Sequence, residues 1–326
     1  MTTIKDIAKK AGVSTATVSR IINGKGEASA DTIQKVKQII SETNYRPNKL
    51  AKTLSQKSSN IIAIMVPNLT NPFFGELITA IDKEAAKHNI QLLICNTNDD
   101  RKKVEQFLES IINNYAFGAI ICTLQVTASD LTYLENHGVH TVTIDRTFME
   151  HPYSAVDIDQ KNGAYLATQH LIEQGAKKIL FLSGPENDLL CVERKCGYLE
   201  ALRNFNISFS EILYGDFSLE SGYHLIKTYL MNHNEIDGIW ATNDLMAIGA
   251  MRACKEMQID IPEKMKIVGN DNLKIGSYIS PRLTSLSQNK KKVSEAVIDE
   301  LISLKDKKTL SKKIIFQPEL IVRETT

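Results

Sequence analysis

The chain has no CxxC spacing among its five cysteines (Cys95, Cys122, Cys191, Cys196 and Cys254), and four of the five sit in or beside apolar stretches. An odd number without paired spacing disfavours a disulfide frame and a cysteine zinc site, so small core residues are the better assignment. No apolar run approaches the ~18–20 residues that span a bilayer, and the charged start MTTIKDIAKK does not have the form of a signal peptide. A cytoplasmic protein without membrane contact is therefore expected. The motifs of common enzyme chemistries are missing as well. There is no GxSxG, no GxxxxGK[ST] and no HExxH, and the only GxG (Gly24, Gly26) follows a helical segment rather than a strand. His137 and His140 flank a Gly and a Val in an expected loop, which suits surface placement better than a metal. Nothing assembles a nucleophile with a base. No catalytic activity, cofactor or metal centre is expected.

Net charge is also nearly absent, at +1 over 326 residues, with 39 Lys+Arg against 38 Asp+Glu. This would argue against a nucleic-acid binder if the charge were evenly spread. It is not. Residues 1–59 hold 11 basic and 4 acidic residues, a net of +7, and the remainder holds 28 basic and 34 acidic, a net of −6. A basic module on an acidic body is the natural reading. The hydrophobic content of 43% and charged content of 24% are those of a globular chain, and the length predicts two or three folding units.

The basic segment has helical periodicity. Ile4, Ile7, Ala8 and Ala11 fall on one helix face, with Thr3 as N-cap, Asp6 three residues on and Gly12 as stop. A second helix after Ser14 turns Val18, Ile21 and Ile22 inward and ends at Asn23-Gly24, and a third from near Ser29 buries Ile33, Val36 and Ile40. Two short helices joined by a tight turn, with a third as floor, form the helix-turn-helix pattern, and the basic charge favours DNA over a protein partner. The outward residues of the second helix are Thr15, Ala16, Thr17, Ser19 and Arg20. Arg20 can donate a bidentate pair to guanine, methyl groups can meet thymine, and short hydroxyls with helix N-terminal N–H groups suit phosphates.

From residue 60 the chain alternates apolar strands with helices: IIAIMV (61–66), IQLLIC from Ile90, GAIIC (118–122), TVTI (141–144), KILFL (178–182), GIWA (238–241) and KIVG (266–269). Short continuous apolar strands between helices predict parallel sheets covered on both faces, and about 265 residues is long enough for two such α/β subdomains. Ligands in these sheets bind beyond the carboxyl ends of strands. The polar and aromatic residues expected there are Phe73, Asp145, Arg146, Asn243, Asp244 and Asp271. Carboxylates, an amide and an Arg around flat rings suit a polyhydroxylated ligand, although each Asp alone could equally be a helix N-cap.

The stretches IKDIAKKAGVSTATVSRIINGKG and NYRPNKLAKTLSQ resemble the DNA-binding head and hinge of the lac repressor (LacI/GalR) family of transcription regulators. Ala28 stands where Val is usual, and Ala16 offers no polar base contact. The resemblance continues through NPFF (71–74), Gly215-Asp216-Phe217, ESGY (220–223), TNDLMAIGA (242–250) and VGNDN (268–272), which are similar to the family's sugar- and purine-sensing core. It implies an α/β fold with an N-terminal helix-turn-helix domain and a two-lobed core of parallel sheets like that of periplasmic binding proteins. The implied divisions are a head at 1–46, a hinge helix or linker at 47–58 and a core at 59–326. Within the core, one subdomain spans about 59–160 and 289–316, and the other about 161–288 and 317–326.

The implied DNA contacts are Thr3, Ser14, Thr15, Ala16, Thr17, Ser19, Arg20, Asn23, Ser29 and Thr32 in the head, with Lys52 beside the backbone and Leu54 wedged into the minor groove. An isolated ten-residue hinge, PNKLAKTLSQ, is too short for a stable helix, so the resemblance implies that it folds when two copies meet on DNA. The implied effector residues are Phe73, Asp145, Arg194, Phe217, Asn243 and Asp271, to which the strand-end position adds Arg146. Arg194 lies in RKCGY, an Arg-x-x-Gly-aromatic pattern of the family. Asp188 and Leu190 replace the polar pair of purine-responsive members, and Asn270 stands where Tyr or Phe is usual. LTNPFFGEL, LLICNTNDD and ATQHLIEQG are similar to ribose-type members.

These readings converge on a homodimeric repressor with a near-palindromic operator and a small sugar, such as a pentose, as effector. No heptad follows PELIVRETT, which favours a dimer over a tetramer. The alternatives are control by a phosphorylated carrier protein or a sugar phosphate corepressor. The run KKKVSEAVIDEL (290–301) does not resemble the docking region of members controlled by a carrier protein. Arg20→Ala is expected to lose its preference for operator over random duplex, by the ~1–3 kcal/mol of a bidentate base contact. Leu54→Ala should weaken operator binding and leave random-duplex binding nearly intact. Fluorescence anisotropy on both duplexes checks this, and equal losses on the two would sink the assigned roles.

Overall fold

The computed structural model describes residues 2–22, 24, 28–43, 59–233, 235–307 and 310–326. It divides into two units, Met1–Ser58 and Ser59–Thr326.

In the first unit, α1 (Ile4–Ala11), α2 (Thr15–Ile22) and α3 (Ala30–Glu42) surround a small core. Ile7, Ala8, Ala11, Val18, Ile21 and Val36 are buried, with Ile22, Ile33 and Ile40 partly covered at its edge. Thr3 and Asp6 form a reciprocal capping box at the start of α1, and Gly12 ends it at φ 72°, where a left-handed residue closes the last turn.

The second unit runs β1 (Ile61–Val66), α4 (Pro72–Lys87), β2 (Gln91–Asn96), α5 (Arg101–Asn113), β3 (Gly118–Ile121), α6 (Ala128–Asn136), β4 (His140–Ile144), β5 (Ser154–Ile158) and α7 (Gln160–Glu173). It continues with β6 (Ile179–Ser183), α8 (Leu189–Asn204), β7 (Glu211–Tyr214), α9 (Leu219–Asn232), β8 (Gly238–Ala241), α10 (Asp244–Glu256), β9 (Lys266–Asn270) and a short 3-10 turn at Lys274–Ser277. β10 (Thr284–Ser287), α11 (Lys290–Lys305), β11 (Lys313–Phe316) and β12 (Glu319–Ile321) complete it. Among the described residues the strands form two six-stranded sheets, ordered β2-β1-β3-β4-β5-β11 and β7-β6-β8-β9-β10-β12. Every pairing is parallel except β10 with β12.

Each sheet is covered on both faces, as continuous apolar strands require. In the first lobe α4 and α11 bring Leu77, Ile81, Val297 and Leu301 against Ile62, Ile64 and Ile120, while α5 and α6 bring Leu108, Ile111 and Leu131 against Ala63, Met65 and Ile121. In the second, α9 and α10 cover Leu180, Leu182 and Ile239, and α7 and α8 cover Phe181 and Trp240. Five strands exceed the apolar runs that sequence periodicity marks: β5, β7, β10, β11 and β12. Most of these are short and carry polar residues. TSLS in β10 has one apolar side chain, yet Thr284, Ser285 and Leu286 are buried because β9 and β12 flank it.

The chain passes between the lobes three times: from β5 into α7, from β10 into α11, and from β11 into β12. The passages are tied to one another. Asn162 Nδ2 donates to Gln317 Oε1 at 2.7 Å, Gln317 Nε2 to Asp159 Oδ2 at 3.2 Å, and Asn289 Nδ2 to Glu319 Oε1 at 3.4 Å.

Helix pairs in the second lobe pack at backbone distance. A Cβ on Gly222 would strike the main chain of Met246, and one on Gly249 would strike Leu219 O and Tyr223 N. Backbone cannot step aside as a flexible side chain can. Gly222→Ala and Gly249→Ala should each cost about 1–3 kcal/mol by overpacking. Gly75→Ala, where the space is open, should be neutral or stabilise by up to ~1 kcal/mol through helix propensity. Urea denaturation of the three variants measures the contrast.

Candidate DNA face and interlobe cleft

In the head, the short polar residues serve first as caps. Ser14 Oγ accepts from Thr17 N–H at 3.0 Å, and Ser29 Oγ accepts from Thr32 N–H at 3.3 Å. Hydrogen bonds from the Thr3 backbone and hydroxyl hold the Asp6 carboxyl below its ordinary range. The caps fix the starts of α2 and α3, where helix N–H groups point at any phosphate laid against them. Thr15, Ala16 and Arg20 are exposed along α2, with Thr17 and Ser19 half-buried. Asn23, Lys52, Leu54 and the hinge at 47–58 lie outside the described residues.

In the second unit a cleft of ≈ 470 Å³ opens at the carboxyl ends of both sheets. In each sheet one strand has its successor strands on opposite sides, β1 between β2 and β3, and β6 between β7 and β8. Loops that diverge from such a point leave a crevice. Phe73, Asp145, Arg194, Phe217, Asn243 and Asp271 all line the cleft. They arrive from six separate chain segments.

Local geometry aims each of them. Asn71 caps α4 by accepting from Phe73 N–H at 3.0 Å, and the Phe73 ring meets that of Phe74 edge-on at 5.3 Å. Asp145, Phe217 and Asp271 have φ of 54°, 69° and 114°, values that side-chain-bearing residues seldom adopt. Strained backbone of this kind is held in place by its surroundings and concentrates at functional sites. Asn243 caps α10 through Met246 N–H at 2.8 Å and gives its Nδ2 to Phe217 O at 2.9 Å. Asp244, the next residue, does not line the cleft. It is buried behind the wall, where Ser285 Oγ donates to Oδ1 at 2.5 Å and Leu273 N–H to Oδ2 at 2.6 Å.

One hydrogen-bond chain links the lobes beneath the cleft. Asp145 accepts from Ile158 N–H at 2.8 Å and from Gln160 Nε2 at 3.1 Å. Gln160 Oε1 accepts from Arg194 Nε at 3.0 Å, and Arg194 Nη1 donates to Thr242 O and Oγ1 at 3.1 and 3.0 Å. Further contacts join the lobes. Glu76 Oε1 accepts from Lys274 N–H at 2.9 Å while its Oε2 pairs with Lys290 Nζ at 3.1 Å, and Thr147 Oγ1 donates to Glu193 at 2.9 Å.

Arg146 does not join the others, which corrects the expectation from its strand-end position. Its guanidinium donates to the carbonyls of Thr123, Leu124 and Val126, and its N–H to Asp157 Oδ1 at 2.9 Å. The left-handed turn at Asp145 sends the next side chain away from the cleft, and a buried guanidinium settles where carbonyl oxygens are available. Gln160, Gln288 and Asp99 went unnoticed in the sequence. Gln288 lines the cleft and donates to Asp271 Oδ1 at 2.7 Å. Gln288 follows β10, a strand that its polar TSLS sequence conceals, and a lone Gln or Asp in a loop gives no signal of such a position.

Burial shapes the acid–base character of the cleft. Desolvation pushes the Asp145 carboxyl up to about 7, against the opposing pull of Ile158 N–H and Arg194. Desolvation, reinforced by the charge of Asp244, pushes Asp271 up to about 8. Among the described residues no His, Cys, Asp and Glu group is placed to hold a metal. No helix among them is long and apolar enough to cross a membrane.

Comparison with known proteins gives this geometry its context. Residues 59–323 match the family model of periplasmic binding proteins and the sugar binding domain of the LacI family, and residues 3–48 match that of bacterial regulatory proteins of the lacI family. The chain belongs to the LacI family. It is a DNA-binding transcriptional regulator with a small-molecule-binding core, and not an enzyme.

Among curated relatives, the chain is 34% identical to the ribose operon repressor of Halalkalibacterium halodurans, over 100% of this chain and 97% of that one. It is 31% identical to the transcriptional repressor PurR of Actinobacillus pleuropneumoniae serotype 3, over 100% and 98%. Among solved structures it resembles the lac repressor dimer bound to operator and the anti-inducer ONPF, at 25% identity and TM-score 0.89 over 99% and 98% of the chains. It also resembles a LacI family regulator from Enterococcus faecium with bound ribose, at 28% identity and TM-score 0.74 over 82% and 98%.

A carboxyl raised by burial binds its proton more tightly in the folded chain than in the unfolded one. Its stabilising contribution is complete below about pH 4 and is lost as pH rises toward 7–8. In Asp271→Asn the side-chain oxygen that accepts from Gln288 is kept and the charge removed. Thermal melts of this variant and the parent should show a gain in melting temperature that grows from pH 5 to pH 8. A difference that does not change with pH would contradict the burial of an ionising carboxyl.

Proposed function

We propose that this regulator is a homodimeric, cytoplasmic repressor that binds a near-palindromic operator and releases it when a sugar of the pentose class enters the interlobe cleft. The observation that carries the reading is the convergence of Phe73, Asp145, Arg194, Phe217, Asn243 and Asp271 on one cleft of ≈ 470 Å³. Flat rings offer stacking faces to the CH side of a sugar, while carboxylates and a guanidinium take paired hydroxyls. The volume lies at the small end of ligand pockets, which suits a monosaccharide. The ribose operon repressor and the ribose-bound regulator among its relatives point the same way.

In this reading α2 reads the major groove through Arg20, with Thr15, Ala16, Thr17 and Ser19 around it. Thr3, Ser14, Asn23, Ser29, Thr32 and Lys52 set the register on phosphates, and Leu54 opens the minor groove at the dyad. Sugar binding shifts the lobes against each other through the contacts that span them. A coupling of only ~1–3 kcal/mol between the sites changes operator affinity by 5–150-fold.

A purine is the second reading, favoured by the likeness to PurR and by the two rings, Phe73 and Phe217, in the cleft. Leu190 on the cleft wall offers a purine edge no hydrogen bond. The deciding experiment is a thermal-shift screen of pentoses, hexoses and purine bases on the full chain, followed by operator anisotropy. At 100 Kd the true effector adds ~2.7 kcal/mol of stability. Ribose or another pentose is expected to shift the melt and release operator, and Asp271→Ala to bind operator yet ignore the sugar. Normal induction of Asp271→Ala would refute its place in the site, and a response to purines alone would replace the sugar.

A further inference from the structure

Among the described residues, six acidic side chains line the cleft, Asp99, Asp145, Asp188, Asp216, Glu220 and Asp271, against one cation, Arg194. Arg194 is committed by its Nε and Nη1 to Gln160 and Thr242 inside the wall. The nearest other cations are turned elsewhere. The Arg146 guanidinium holds the carbonyls of the loop after β3, and Lys290 Nζ holds Asp271 O at 2.6 Å and Glu76.

Four helix N-termini also reach the cleft, those of α4, α8, α9 and α10. Free N–H groups at such ends are the usual seat of a phosphate. Here each end carries its own side-chain cap, which takes one or two of those N–H groups. Asn71 accepts from Phe73 N–H, Asp188 from Leu190 and Cys191 N–H, Ser218 from Ser221 N–H, and Asn243 from Met246 N–H. One of these caps is itself a carboxylate. Across the rim, Asp99 of the first lobe and Asp188 of the second are near enough for the charge of Asp188 to help raise the Asp99 carboxyl, after desolvation.

We propose that the cleft selects by charge, taking an unphosphorylated sugar and rejecting its phosphate ester, with Asp99 and Asp188 as the specificity-determining pair. The inference rests on the sugar-sensing reading above and narrows it to free sugars. A phosphate brought between the two rim carboxylates meets like charge from both lobes, and the guanidinium that lines the cleft, Arg194, already has its Nε and Nη1 bound inside the wall. A neutral sugar meets no such repulsion, and its hydroxyls can hydrogen-bond the same carboxylates.

Isothermal titration of the full chain with matched pairs, ribose with ribose 5-phosphate and glucose with glucose 6-phosphate, tests the proposal. Within a pair the free sugar should bind on the order of 100-fold more tightly. The gap should narrow as salt rises from about 0.05 to 0.5 M, because the rejection is electrostatic and the rim is exposed. The double variant Asp99→Asn/Asp188→Asn should narrow the ratio of the two dissociation constants by about tenfold. Asn tolerates the left-handed backbone of Asp99 (φ 52°) and caps a helix as well as Asp does, so the fold is kept. A phosphate ester that binds as tightly as its free sugar, or a ratio unmoved in the double variant, overturns the inference while leaving the sugar reading in place. A chain that binds neither member of any pair overturns the sugar reading and this inference with it.

Discussion

The buried guanidinium of Arg194 is the constraint on which the core depends. It is only 6% exposed, and a charge so placed must be paired or fully hydrogen-bonded. Its partners come from three parts of the chain: Gln160 at the first passage between the lobes, Thr242 at the end of β8, and, through Gln160, Asp145 at the end of β4. Satisfying one charge therefore fixes where the chain leaves the first sheet, how α8 sits on the second, and how the two strand ends face each other. The floor of the cleft follows from this pairing.

The same burial that orders the floor leaves the walls in tension. Asp145 and Asp271 carry carboxyls raised by desolvation, and they sit at positive φ with Phe217 between their segments. Each of these features costs stability in the empty protein. The desolvation of the carboxyls is offset when hydrogen-bond donors of a ligand reach them. Sites that bind by differential interaction have this property, because the ligand returns what folding spent there. Glu76, with Lys274 and Lys290, and Thr147 with Glu193 connect those walls across the two lobes.

Much of this was legible beforehand, for local reasons. The head could be read because its helices declare themselves by apolar spacing and caps, as Thr3, Asp6 and Gly12 show. The central strands could be read because strands covered on both faces are continuously apolar. β10 could not, since TSLS is polar and owes its burial to β9 and β12 on either side. Arg146 was misplaced for a comparable reason. Its neighbour Asp145 adopts a left-handed conformation that no residue type announces, and that turn decides which of two adjacent polar side chains meets the cleft. Gln160 and Gln288 were silent because an amide gains its meaning only from what folding sets beside it.

The division of labour is written in local properties of the chain. A +7 segment with helix-turn-helix periodicity precedes a −6 body of alternating strands and helices, and these follow from composition and local spacing alone. Periodicity and charge are properties of neighbours along the chain, so they survive without a fold. The character of the cleft arises on folding alone: among the described residues, six acidic side chains face one guanidinium, four capped helix ends converge, and two carboxyls gain proton affinity. Those are properties of groups far apart in sequence and close in space, where desolvation and electrostatics act on distance rather than on order along the chain.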